Sequence, residues 1–118
     1  MKNQEIQMME DNLQHVWNEK NSTIRMEAIK RIYGEEAKLY HTGHKVKGLE
    51  AINESVTTTL QNLPPDFIFT QLKPVTINNN LGRLIWGAGP EGQPHVATGM
   101  DIAHFKDGKI KSLYVFLD

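Results

Sequence analysis

The prevailing spacing of apolar residues changes at Pro64-Pro65, and that switch restricts the architectures open to the chain. Before the prolines, apolar residues recur at three- and four-residue intervals. Ile6, Met9, Leu13, Val16 and Trp17 do so between Gln4 and about Glu19; Ile24, Ala28, Ile29, Ile32 and Tyr33 follow the capping candidates Asn21 and Ser22; Ala51, Ile52, Val56, Leu60 and Leu63 mark the stretch from Leu49 to Leu63. This spacing predicts three amphipathic helices, the second stopped by Gly34 and the third by the prolines. Between the second and third, AKLYHT alternates as a strand, with His41 on the face of Leu39, and GHKVKG reads as a turn. After the prolines, DFIFTQL, VTINN, RLIWGAG, HVATGMDIAHF and KIKSLYVFL are rich in β-branched and aromatic residues and are separated by Pro, Gly and Asn. Helices followed by a meander of strands predict an α+β fold: three N-terminal helices packed on one face of a strongly curved, mainly antiparallel sheet, in one domain over residues 1–118.

Thirteen Lys and Arg against fourteen Asp and Glu, with no basic stripe, argue against a nucleic-acid partner. The absence of cysteine excludes disulfides, thiolate metal sites and Cys nucleophiles. No stretch approaches the ~20 apolar residues of a membrane span, and the polar, acidic start does not read as a signal peptide, so a cytoplasmic protein with no membrane partner is expected. His41-x-x-His44 has no evident third ligand, so neither a metal nor any other cofactor is expected.

One residue breaks the β pattern. Asp101 lies within a strand, where aspartate is depleted, and on a buried face it must be paired or protonated. Asp101 also opens the run D-x-x-x-F-x-D-G-K-I to Ile110. Together with Glu27-Ala28-Ile29, Tyr33, G-x-E-A-I from Gly48 to Ile52, and Asp118, this run resembles the nuclear transport factor two-like superfamily, in its SnoaL-like and ketosteroid isomerase-like branch. The resemblance covers nearly the whole chain. It implies a cone-shaped barrel whose bent sheet wraps a helix and leaves an apolar small-molecule pocket at the wide end. It also implies that Asp101 stands where the isomerases hold an oxyanion, that His41 replaces their aspartate base, and that Gln14 falls where they carry an oxyanion-hole tyrosine. The limonene epoxide hydrolase pattern is absent, since Leu84 and Ile85 follow Arg83, and Val115 takes the place of the last-strand Asp.

The expected catalytic pair is therefore His41 and Asp101. Trp17, Leu39, Trp86, Gly99 and Ala103 are expected on the pocket wall beside Gln14. The last hairpin decides the rest. A two-residue loop at Asp107-Gly108 would set Tyr114 opposite Asp101, whereas a three-residue loop ending in a bulge at Gly108 would set Leu113 there. The resemblance favours the bulge, with Leu113, Val115 and Leu117 in the pocket and Ile102, His104, Tyr114 and Phe116 on an outer face suited to a homodimer. Two functions stay open. One is an isomerase, lyase or cyclase acting on a small hydrophobic carbonyl compound; the other is a ligand-binding or dimerisation module of the same fold.

Overall fold

The computed structural model describes residues 3–118, and in it side-chain caps set where the first two helices begin. Asn3 Oδ1 accepts the Glu5 and Ile6 amide N–H groups at 2.7 and 3.2 Å and opens α1, Gln4–Asp11. The chain then widens into a π-helical turn, Asn12–Trp17, closed by the Asn18 N–H on the Leu13 carbonyl at 3.0 Å. Asn12, Leu13, Val16 and Trp17 are all buried there. Asn21 caps α2, Ser22–Ile32, which passes without a loop into β1, Tyr33–His41. Gly34 is thus the second residue of a strand and not a helix stop. The chain turns extended at Tyr33, whose side chain is buried and bonded to Asn12.

β1 returns through Thr42-Gly43 into β2, His44–Lys47, a strand where a turn was expected. At a sheet edge backbone hydrogen bonds suffice, and Lys45 and Lys47 can point to water, so no apolar alternation announces it. α3, Leu49–Gln61, follows and ends before the prolines. Fully buried Arg25 ties α2 to it: Nη1 donates to Asn53 Oδ1 at 2.9 Å and Thr57 Oγ1 at 2.6 Å, while Nε reaches the Glu19 carbonyl at 2.9 Å.

The remaining strands are β3, Phe67–Gln71; β4, Thr76–Asn78; β5, Leu81–Pro90; β6, Ala97–Lys106; and β7, Lys109–Leu117. They complete one sheet in the order β2-β1-β7-β6-β5-β3, with β4 also on β5; only β1 and β7 pair in parallel. The curved sheet is open rather than a closed barrel. α3 packs against β2 and the π-helical turn against β3, the two end strands of that order. Ile29, Leu39, Ile52, Val56, Leu84 and Leu113 form the fully buried centre between the layers. Among the described residues no helix is long and apolar enough to cross a membrane.

The last hairpin differs from both expected registers. Asp107 and Gly108 have φ of 54° and 76°, the two positive values of a type I′ turn, so Lys106 pairs with Lys109. Phe105 then pairs with Ile110 but His104 with Ser112, which leaves Lys111 as an extra, bulged residue. The bulge brings Val115, rather than Leu113 or Tyr114, opposite Asp101. Leu113, Val115 and Leu117 still share the face of Asp101, because the extra residue changes the parity. Ile102, His104, Tyr114 and Phe116 fall on the outer face, where the Tyr114 ring stacks on Tyr40 with centroids 4.5 Å apart.

Candidate functional site

Asp101 sits in mid-sheet, paired with Leu84 of β5 on one side and Val115 of β7 on the other. It is 3 % exposed, and its cross-strand neighbours carry no charge. Burial pushes its carboxyl up to about 7, against the opposing pull of a hydrogen bond from Trp86. Trp86, diagonal to it on β5, donates Nε1–H to Oδ1 at 3.0 Å. The indole lies over Gly99, its direct cross-strand partner; a Cβ there would come within 2.4 Å of Trp86 Cζ2. Among the described residues, the side-chain polar atoms sealed in without a partner are Trp17 Nε1 and Arg25 Nη2. Asp101 Oδ2 is not one of them and no protein donor reaches it, so this oxygen is the one open to the cavity that Asp101 lines.

That cavity has a volume of about 270 Å³. Its aromatic wall is a chain of rings: Phe69 of β3 meets Trp17 edge to face at 6.0 Å and Trp86 at 5.4 Å between centroids. Asn18, which ends the π-helical turn, holds this wall together. Its side chain donates to the Phe69 carbonyl and accepts the Phe69 N–H, both at 2.8 Å. Leu13 and Phe67 extend the apolar lining, Thr59 and Leu63 border it from α3 and the residues just after, and Val115 and Leu117 from β7.

His41 enters from the end of β1 and lines the same cavity as Asp101. Its Nε2 lies 2.9 Å from Ser55 Oγ on α3, and its ring faces His44 at 5.0 Å. Burial, and then the neighbouring His44, pull its pKa below the ordinary value, so near neutral pH the imidazole is uncharged. Deeper still, the Tyr33 hydroxyl donates to Asn12 Oδ1 at 2.5 Å; burial and the nearby Asp101 keep it protonated.

Of the residues expected around the pocket, Trp17, Trp86, Val115 and Leu117 line the cavity with His41 and Asp101, and five do not. Gln14 is exposed and borders a separate surface groove, since it lies off the stripe of Leu13, Val16 and Trp17 that the helix buries. Leu39, Ala103 and Leu113 share the concave face but are sealed in the core where the helices press on the sheet, leaving no free surface. Gly99 is covered by the Trp86 indole. Sequence reasoning missed Phe69, Asn18 and Ser55. Phe69 belongs to an alternating strand whose inward face was undetermined, and neither Asn18 nor Ser55 stands in a motif.

The model of the SnoaL-like domain matches residues 12–113 of the chain. Among solved structures, a SnoaL-like family protein from Agrobacterium tumefaciens, described as a candidate isomerase, superposes with a TM-score of 0.88 at 21% identity, over 98% of this chain and 97% of that one. A candidate SnoaL-like polyketide cyclase from a Jannaschia species gives 0.80 at 11% identity, over 98% and 85% of the two chains. A candidate ketosteroid isomerase from Kribbella flavida gives 0.74 at 12% identity, over 98% and 78%. At these identities the likeness is one of fold. No curated protein matches the chain.

Proposed function

Because the chain belongs to the SnoaL-like domain family, we propose that its cavity takes a small hydrophobic carbonyl compound and isomerises, cyclises or dehydrates it through His41 and Asp101. The observation that carries this reading is a buried carboxyl, titrating near 7, with one oxygen open to an otherwise apolar cavity that an uncharged imidazole also lines. A carboxylic acid kept neutral in this way can donate a hydrogen bond to a carbonyl oxygen, and donates most effectively as that oxygen gains charge. In the tautomer that gives its Nε2–H to Ser55, His41 keeps a lone pair on Nδ1. In an isomerisation that nitrogen takes a proton from the carbon beside the carbonyl. The C–H electron pair then forms the enolate, whose oxygen accepts from Asp101, and the same proton is returned at another carbon. In a cyclisation the enolate carbon instead attacks a second carbonyl carbon: the enolate C–O becomes a carbonyl again, the attacked C=O π pair moves onto its oxygen, and that oxygen takes the proton held by His41.

The second reading, a binding module without turnover, draws on two observations. If Ser55 donates to Nε2, the imidazole has no free lone pair there, and Gln14 brings no oxyanion donor to the cavity. A thermal-shift screen of hydrophobic ketones, followed by deuterium exchange at their α-carbons in D₂O, separates the two. Stabilisation with exchange that is lost in His41→Ala supports catalysis, and stabilisation without exchange supports the binding module. No ketone-dependent stabilisation in either wild type or Asp101→Asn would sink both.

A further inference from the structure

We propose that Trp86, seated on Gly99, selects which oxygen of Asp101 carries the proton and so positions the donor that a ligand meets. The inference rests on the reading of Asp101 as a hydrogen-bond donor. An indole N–H can donate and cannot accept. With Trp86 Nε1–H on Oδ1 at 3.0 Å, a proton on Oδ1 would compete for the lone pairs on that oxygen, so the protonated acid carries its hydrogen on Oδ2, the oxygen open to the cavity. An unsupported carboxyl would divide its proton between two oxygens and two orientations.

The support for this arrangement is built into the sheet. Gly99 is the cross-strand partner of Trp86, and any larger residue there would meet the indole at 2.4 Å. Phe69 packs edge to face on the same ring at 5.4 Å, so the indole is held from a second direction. Trp17 lines the same cavity, yet its N–H has no partner, so the chain's two tryptophans differ in this one respect. Trp86 is thus a positioning residue: it need not touch a ligand oxygen to determine where that oxygen docks.

The first test uses the unaltered protein, whose two indole N–H signals can be followed by ¹⁵N NMR from about pH 5 to pH 9 while the Asp101 side-chain carbon is titrated. The Trp86 signal is expected to move with the Asp101 midpoint and the Trp17 signal to move much less. Two flat indole signals across the Asp101 titration would overturn the proposal. The second test compares binding of 1-indanone with that of indane, which lacks the oxygen, in wild type and Trp86→Phe. Wild type is expected to favour indanone at about pH 6 and to lose the preference at about pH 9. Trp86→Phe should raise the Asp101 midpoint, because a bond to the carboxylate is gone, and should cut the indanone preference by up to about tenfold, the scale of one neutral hydrogen bond. A midpoint unmoved by Trp86→Phe overturns the positioning role whatever the ligands do. A moved midpoint in a protein that never favours indanone upholds the positioning and overturns the donor reading beneath it.

Discussion

Replacing Asp101 by Asn should stabilise the protein, and the gain should depend on pH in a way the buried carboxyl dictates. The folded-state pKa is about 7 against an ordinary 3.8, a rise of about three units. At about 1.36 kcal/mol per unit, keeping the ionised group in its apolar surroundings costs the fold at most about 4 kcal/mol. The direction follows from which state holds the proton. Between about pH 4 and pH 7 the unfolded chain has lost it and the folded chain has kept it, so stability falls as pH rises and levels off above about 7. An amide cannot ionise, and its Oδ1 can still accept the Trp86 N–H. Urea unfolding of wild type and Asp101→Asn at one protein concentration should therefore give equal stabilities near pH 4. The variant should then gain at up to about 1.4 kcal/mol per pH unit and reach an advantage of several kcal/mol near pH 8. Comparing the two proteins at each pH cancels the titration of every other group. A difference that does not change with pH, or a variant less stable at pH 8, would refute the claim that Asp101 is held largely desolvated.

Tyr33→Phe should cost about 1–3 kcal/mol in the same assay, because Asn12 Oδ1 loses its buried donor; pairing it with Asn12→Leu should recover part of that loss. His41→Ala should leave ketone affinity within about threefold while lowering turnover at least a hundredfold, the usual contribution of a general base, measured as α-deuterium exchange. We also propose a homodimer through the outer sheet face, where Tyr114 and Phe116 are exposed beside the Tyr40 ring. Sedimentation equilibrium at micromolar concentration should give twice the chain mass, and Phe116→Arg should halve it. A monomeric wild type would exclude this surface as the site of self-association.

The sequence by itself determined the layers. Helical periodicity before Pro64 and alternation after it can each bury an apolar face in only one kind of element, and together they leave an α+β arrangement. It also singled out Asp101, because a carboxylate among β-formers is costly unless it is paired or protonated. The tertiary structure decided everything that depends on adding or losing a single residue of register. Helical spacing already put Leu13 and Trp17 on the buried stripe, and Gln14, placed in the pocket only by the resemblance, lies outside it on the exposed side of the π-helical turn. The bulge at Lys111 chooses Val115 as the partner of Asp101, a choice that turns on backbone pairing and leaves no trace in residue type. The parallel joining of β1 to β7 brings His41 from the first half of the chain to a cavity whose floor comes from the second. The Trp86 bond to Asp101 needs a glycine across the strands, and cross-strand partners are set by long-range pairing. Local pattern reports which face a residue prefers; only the assembled sheet reports what stands opposite.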